Sequence, residues 1–430
     1  MLKGLKKRIS NSDFLKSLAV LMTGTIIAQS IGYLVAPVIT RLYTPEEIGE
    51  FAFFQRIVIL IATLATARYE LALPLPKKNQ QAFQLFRFSI KLSLITIFLS
   101  TIAALLYGFI NGCGNNFYLL IITGVICVFS ITFFNLGTNW AIRMKSFKRI
   151  SFSKMTNSLS QNGLRVLFGL LGWGYLGLVV SFAVSFIIGA THFIADFFKW
   201  KKTTPLNPEN KKDITVAREY KNFPLASLPH ALTDTLRDVL VAFVIIDLFS
   251  EGVFGSFDHS YRMLRLPIMI IGVSMSQVFF NRASELKNQG QKILPIFSKL
   301  VITLGLISIV PFTLIFFFGE DLFAFVFGEE WYQSGKLSEI MAPWLMLNFV
   351  LSPLSTIPLV LNKQGTFFLL GLSASLLQLA GFLFLPCALG YCEGELFNIF
   401  NIVTWSQVLM SILILIYLFT IVRKHDELLK

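Results

Sequence analysis

Twelve stretches of apolar residues follow one another along the chain of 430 residues, and each is long enough to cross a lipid bilayer. A hydrocarbon core about 30 Å thick requires roughly 20 apolar residues per helix, and it contains no water to satisfy an open backbone. The composition agrees, with 55% hydrophobic and only 14% charged residues. We therefore predict an all-α integral membrane protein. The stretches lie near residues 15–40, 47–70, 88–110, 117–140, 155–173, 175–198, 224–248, 253–280, 295–318, 338–361, 366–389 and 396–422.

The basic residues between these stretches define the orientation of the chain. If the N-terminus is cytoplasmic, nearly all Lys and Arg residues outside the stretches lie on the cytoplasmic side, and only Arg41 and Lys336 lie outside. Short cytoplasmic loops are enriched in Lys and Arg. We therefore predict a multi-pass protein with both termini in the cytoplasm. The net charge of +13 is then a topology signal, and no nucleic-acid partner is expected.

A polar turn between two apolar stretches occurs twice in the sequence. Residues 41–56, RLYTPEEIGEFAFFQR, align without a gap with residues 247–262, DLFSEGVFGSFDHSYR. Identical pairs are Leu42 and Leu248, Gly49 and Gly255, Phe51 and Phe257, and Arg56 and Arg262. Because six stretches, an even number, make up each half, the halves have the same orientation and are related by an axis along the membrane normal. We predict two six-helix lobes, at residues 1–198 and 222–430, joined by a charged cytoplasmic connector at residues 199–221.

Several charged residues lie inside the apolar stretches, where a charge is costly unless it is paired or faces water. The arginines outnumber the aspartates by five to three. Guanidinium groups bind phosphate oxygens in two-point fashion and stay charged when partly desolvated. The pattern therefore predicts a cationic cavity for a pyrophosphate; the alternative is that Asp234 pairs with Arg237 and Asp258 with Arg262 for structural reasons. The candidate substrate-binding residues are Arg56, Arg165, Arg237, Arg262 and Arg265.

A second set of deep side chains is able to exchange a proton or to hold Na⁺. The candidate ion-coupling residues are Asp234, Asp238, Asp258 and His259, with His230 a weaker candidate. The sequence contains no GxxxxGK[ST], HExxH or CxxC motif, so we expect no nucleotide or metal cofactor. Transport would then depend on H⁺ or Na⁺, on the membrane potential or on the substrate gradient.

The segment TRLYTPEEIGEFAFFQ, residues 40–55, together with the twelve stretches, resembles the bacterial polysaccharide-repeat flippases. These belong to the multidrug/oligosaccharidyl-lipid/polysaccharide exporter (MOP) superfamily. The resemblance implies a two-lobed, V-shaped bundle in the bacterial inner membrane. It also implies that the protein is not an enzyme. The expected activity is to move undecaprenyl-pyrophosphate-linked oligosaccharides from the inner to the outer leaflet, for the O-antigen of lipopolysaccharide or for capsule. Membrane lipids and the lipid-linked oligosaccharide are the expected partners, and the resemblance allows a polysaccharide polymerase and a chain-length regulator.

Three other functions remain open from the sequence. A multidrug exporter of the same superfamily would share the fold, but its cavity for cationic drugs is expected to be acidic or aromatic. A lipid II flippase is expected to carry two further helices and arginines on its first helix, where this chain has Lys16 near the mouth. A membrane glycan polymerase would be an enzyme with a large outer loop, whereas the longest outer segment here covers about residues 319–337.

The orientation is testable by thiol labelling in intact cells. A cysteine that replaces Asn210, in the connector, should be protected from an impermeant maleimide, because the basic loops place it in the cytoplasm. A cysteine that replaces Gln333 should be labelled. The reverse pattern would contradict the predicted orientation.

Overall fold

The computed structural model describes residues 23–203, 213–389 and 396–429, and the regular structure within these ranges is entirely helical. Short 3₁₀ or π turns occur at Tyr69–Ala72, Phe223–Ser227, Ile268–Gly272 and Glu329–Trp331. The helices of the first half are α1 (Thr23–Ile39), α2 (Pro45–Ala65), α3 (Asn79–Ile110), α4 (Asn115–Arg143), α5 (Phe147–Leu170), α6 (Gly174–Thr203) and α7 (Asp213–Glu219). Those of the second half are α8 (Leu228–Leu248), α9 (Glu251–Leu264), α10 (Val273–Asn288), α11 (Leu294–Phe327), α12 (Tyr332–Leu354), α13 (Ile357–Val360), α14 (Gln364–Leu389) and α15 (Leu396–Glu427).

Each of the twelve predicted stretches corresponds to one of these helices or to a bent pair. Within the described ranges, eight helices are long and apolar enough to cross a membrane alone, and the pair α9 and α10, bent by 42°, makes a ninth. The other three spans are α1, whose apolar part is shorter, and α5 and α8, which are more polar. A polar membrane helix is tolerated when its polar face lies against protein or water instead of lipid. The prediction of an all-α membrane protein is confirmed.

The packing divides the described chain into two compact units. Unit 1 consists of the residues up to Tyr43 together with Phe51–Val239, and unit 2 consists of Thr44–Glu50 together with Leu240–Lys430. The first half of α8 therefore packs with unit 1, although it follows the predicted connector in the sequence. The boundaries at residues 198 and 222 stay a prediction, and residues 204–212 of the connector lie outside the described ranges.

Both copies of the repeated turn start a helix, and they use the same physical device. Pro45 is the first residue of α2, where its missing N–H costs nothing. The Thr44 N–H donates to the Glu47 carboxylate at 3.1 Å, and the Glu47 N–H donates to Thr44 Oγ1 at 3.3 Å, which forms a capping box. In the second copy, Ser250 Oγ accepts from the Val253 N–H at 3.2 Å and caps α9. The conservative pair Thr44 and Ser250 is therefore explained by helix capping.

Within unit 2, the two copies of the turn pack against each other at their shared glycine. A Cβ atom at Gly49 would overlap the carbonyl oxygen of Glu251, and a Cβ atom at Gly255 would overlap that of Pro45. These neighbours are backbone atoms, which cannot move aside as a flexible side chain would. The identity of Gly49 and Gly255 in the repeat is therefore a requirement of close backbone packing.

Short α7, at the end of the predicted connector, is held on α3 of unit 1 by a buried carboxylate. Asp213 accepts hydrogen bonds from Arg87 at 2.6 and 2.8 Å and from Lys91 at 2.9 Å. Burial acts to raise the pKa of Asp213, but the hydrogen bonds and charges of Arg87 and Lys91 outweigh it, so that the pKa lies below its ordinary value. The chain that follows residue 212 is thus anchored to unit 1 by a charge-assisted pair.

We expect the glycine contact to limit the stability of the fold. Replacing Gly49 or Gly255 with Ala should lower the free energy of unfolding by about 1–3 kcal/mol, because overpacking against a backbone cannot be relieved locally. The measurement is the unfolding midpoint of purified protein in detergent. Gly305→Ala in α11 is the matched control, since a Cβ there meets no atom within 4 Å. Equal midpoints for all three variants would contradict the assigned role of the contact.

Candidate functional site

Arg165 on α5 is positioned by residues of the first copy of the turn, within unit 1. Its guanidinium carbon lies 5.1 Å from the centre of the Phe51 ring, within the range of a cation–π interaction. The buried hydroxyl of Tyr43 donates to the backbone oxygen of Arg165 at 2.7 Å. The motif residues Tyr43 and Phe51 therefore hold one of the predicted substrate-binding arginines in place. Arg56, on α2 of the same unit, is half-buried.

The four candidate residues on α8 lie close together. Arg237 lies 2.8 Å from Asp238 Oδ1 and 3.9 Å from Asp234 Oδ1, and His230 Nδ1 lies 3.8 Å from Asp234 Oδ2. The side chains of Asp234 and Asp238 are 56% and 52% exposed. A carboxylate exposed to lipid at this depth would be costly, so this face of α8 requires contact with water. The predicted pairing of Asp234 with Arg237 is present, and Asp238 makes the closer pair.

In unit 2, Asp258 and Arg262 on α9 form the second predicted ion pair. Arg262 Nη2 lies 2.6 Å from Asp258 Oδ2; the Asp258 side chain is only 10% exposed, whereas that of Arg262 is 40% exposed. The pair thus buries the carboxylate and leaves the guanidinium at the surface of the unit. In the repeat, Arg262 is equivalent to Arg56.

The imidazole of His259 points away from this ion pair and into an aromatic cluster. Its ring centre lies 4.5 Å from that of Phe327, 4.6 Å from that of Trp331 and 5.9 Å from that of Phe323. Its Nε2 is buried and makes no hydrogen bond to any residue that the structure describes. An ion would reach His259 only if this cluster opened. Its coupling role stays a prediction.

Arg265 follows the last residue of α9, at the bend before α10. Its guanidinium carbon lies 5.0 Å from the centre of the Tyr261 ring, and the Tyr261 ring stacks on Trp344 of α12 with centroids 5.8 Å apart. The Arg265 side chain lines a cavity of about 240 Å³, and all residues that line this cavity belong to unit 2. Arg265 therefore differs from the other four arginines in having a defined cavity within one unit.

The charges of these groups do not cancel. In unit 1, Arg56, Arg165 and Arg237 accompany Asp234 and Asp238, and in unit 2, Arg262 and Arg265 accompany Asp258, so these residues leave each unit with an excess of one positive charge. Such an arrangement attracts an anion and holds it through guanidinium hydrogen bonds. Among the residues that the structure describes, no group of three His, Cys, Asp or Glu side chains is placed to hold a metal ion.

The sequence reasoning missed the residues that position the arginines and those that complete the cavity. The aromatic partner of Arg265 lies four residues before it, at Tyr261, which is a spacing that places two side chains on one helix face. That signal was available in the sequence. Phe51 and Tyr43 act on α5 from more than a hundred residues away, and Asn348 and Ser352 line the cavity from α12. No local pattern connects these residues to the arginines.

A comparison with protein families gives one match over most of the chain. The family described as "Polysaccharide biosynthesis protein" matches residues 22–336. No curated protein is similar enough in sequence to match.

Several solved structures with the same fold are remote in sequence. An inward-facing multidrug resistance MATE family transporter of the MOP superfamily is 16% identical, with a TM-score of 0.70, over 94% of this chain and 99% of the transporter. The lipid II flippase MurJ in an inward closed conformation is 14% identical, with a TM-score of 0.68, over 91% of this chain and 87% of MurJ. A MOP superfamily transporter from Pyrococcus furiosus, described as having a binding pocket of reverse polarity, is 15% identical, with a TM-score of 0.60, over 96% of each chain.

These similarities establish the helical fold that the chain shares with the MATE and MurJ structures, and the family match extends over well more than half of the sequence. The chain belongs to the polysaccharide biosynthesis protein family and has the fold of the MOP superfamily transporters.

Proposed function

We propose that this protein is a flippase that moves undecaprenyl-pyrophosphate-linked oligosaccharide units from the inner to the outer leaflet of a bacterial inner membrane. The units would serve the synthesis of surface polysaccharide, O-antigen or capsule. The observation that carries the proposal is the excess of arginine over aspartate among the deep charged residues, in a chain of the polysaccharide biosynthesis protein family. A pyrophosphate is the part of such a substrate that a guanidinium recognises best.

The excess positive charge also distinguishes this proposal from the export of cationic drugs. A cation would be repelled by Arg56, Arg165 and Arg262, whereas a pyrophosphate would gain charge-assisted hydrogen bonds from them. The lipid II flippase remains the closer alternative, because its substrate also carries a polyprenyl pyrophosphate; the two functions differ in the glycan. A polymerase and a chain-length regulator would act on the product at the outer leaflet.

The pyrophosphate proposal predicts that lysine cannot replace arginine. Arg56→Lys and Arg262→Lys, alone and combined, keep the charge but lose the two-point fork. We expect surface polysaccharide to fall roughly tenfold in the double variant, as for the loss of strong charge-assisted hydrogen bonds, and lipid-linked oligosaccharide to accumulate on the inner leaflet. The measurement is made in cells whose own gene is deleted, with the amount of membrane-inserted protein determined in parallel.

The ion pair of Arg262 dictates the choice of variants. Arg262→Ala would leave the buried Asp258 carboxylate without its ion-pair partner, which costs about 3–5 kcal/mol and would be confused with loss of function. Asp258→Asn combined with Arg262→Gln removes both charges. This double variant tests whether transport requires the Arg262 guanidinium, and it leaves no unpaired carboxylate at position 258. Arg423→Lys, in the exposed pair with Glu427 on α15, is the control. Normal surface polysaccharide in Arg56→Lys/Arg262→Lys, at normal protein levels, would show that these arginines have a structural role only.

We also propose that H⁺ or Na⁺ drives the cycle through the two exposed carboxylates of α8. Asp234 and Asp238 are accessible, whereas Asp258 is buried in its ion pair. In proteoliposomes, Asp234→Asn combined with Asp238→Asn should abolish the response of transport to an imposed H⁺ or Na⁺ gradient. Transport that responds to the gradient as the wild type does would exclude both residues from coupling.

A further inference from the structure

Arg265 is a charged residue inside the membrane without a counter-charge in the described part of the chain. It lies about 21 Å along the helix from Glu251, at 1.5 Å per residue, within a hydrocarbon core about 30 Å thick. Its contact within the described ranges is the face of Tyr261, and no carboxylate pairs with it there. A permanent charge held at this depth is costly, and it is typical of a binding site.

The cavity beside Arg265 is lined by polar groups on one side and by apolar side chains on another. Asn348, Ser352 and Ser355 on and after α12 supply hydrogen-bonding groups, and Phe367 and Ile414, from α14 and α15, supply apolar surface. The cavity of about 240 Å³ is partly open to the surface of unit 2. This volume is below the roughly 300 Å³ at which pockets begin to enclose a drug-sized ligand, so an oligosaccharide is too large for it.

The bend between α9 and α10 creates the space for this cavity. The helix direction changes by 42° at residues 265–267, and the π turn at Ile268–Gly272 begins three residues after Arg265. Such π turns are rare and occur frequently at functional sites. At the turn, Gly272 lies against Ser352, where an added Cβ would come within 2.9 Å of the serine hydroxyl.

We propose that this cavity binds the phosphate group of one anionic lipid, with the guanidinium of Arg265 on the phosphate oxygens and the hydrocarbon chain along Phe367 and Ile414. A cation is disfavoured by Arg265, and a neutral lipid would leave the guanidinium without an anionic partner. Two sources supply this chemistry, the phosphodiester of a membrane phospholipid and the pyrophosphate of a polyprenyl carrier. The proposal does not rest on the flipping activity, because it concerns a site within unit 2.

Native mass spectrometry of the purified full-length protein in a neutral detergent tests the site. The protein is titrated separately with phosphatidylglycerol, with farnesyl pyrophosphate and with diacylglycerol, which has an apolar chain but no phosphate. We expect the wild type to bind one molecule of a phosphate probe tightly. Arg265→Ala should weaken this binding at least about tenfold, since charge-assisted hydrogen bonds are lost, and Arg265→Lys should weaken it less. If Arg265→Ala weakens the binding of phosphatidylglycerol alone, the ligand is a membrane phospholipid. If it weakens the binding of farnesyl pyrophosphate alone, the ligand is the polyprenyl carrier. If it weakens the binding of both, the cavity is a general phosphate site.

The controls separate a local effect from loss of the fold. Arg282→Ala removes an exposed arginine of α10 that pairs with Glu285, and it should bind both phosphate probes as the wild type does. Asn348→Leu keeps the size of a lining residue but removes its polar groups, and it should also weaken binding if Arg265→Ala does not fold. Equal affinities of the wild type and a folded Arg265→Ala for both phosphate probes would overturn the proposal, as would equally tight binding of diacylglycerol. If Arg265→Ala does not fold, equal affinities of the wild type, Arg265→Lys and Asn348→Leu would overturn it.

Discussion

The close contact between the backbones at Gly49 and Gly255 is the constraint on which the arrangement of the repeated turn depends. It leaves no room for a side chain on either helix, and it fixes the starts of α2 and α9 relative to each other within unit 2. The helix caps at Thr44 and Ser250 then determine where each helix begins. Arg56 and Arg262 each follow seven residues after their glycine, about 10.5 Å further along their own helix. The repeated turn is thus a device that places one arginine at the same distance along each of two helices.

Residues of the repeated turn also contact Arg165 and Arg265. Phe51 and Tyr43 position Arg165, whereas α9 carries both the Asp258 and Arg262 pair and the Tyr261 and Arg265 contact. A guanidinium that is pre-oriented by an aromatic ring or by a carboxylate loses less side-chain entropy when it binds an anion. This explains why aromatic and acidic residues accompany the arginines even though the overall excess of charge is positive.

The spans and the capped turns were predictable because they depend on local properties. The length of each apolar stretch predicted a membrane-spanning helix. The TPEE and SEGV segments are recognisable as helix N-caps. Paired charges on α8 followed from helical periodicity alone. The sequence also allowed the prediction that His259 lies on a different helix face from Asp258, since consecutive residues are rotated by about 100° around a helix. The cavity beside Arg265 was not predictable, because it depends on the bend at residues 265–267 and on α12, α14 and α15, which lie far away in the sequence.

The most direct test of the central claim, that arginines at equivalent positions of the repeated turn serve a pyrophosphate, is transbilayer movement in vesicles. Purified protein is reconstituted into proteoliposomes that contain a fluorescent polyprenyl-pyrophosphate-linked disaccharide, and a membrane-impermeant reagent reports its exposure on the other leaflet. We expect the wild type to equilibrate the probe across the bilayer, and Arg56→Lys combined with Arg262→Lys to slow this to the rate of empty vesicles. Equal rates for the wild type and the double variant, at equal reconstitution, would contradict the account.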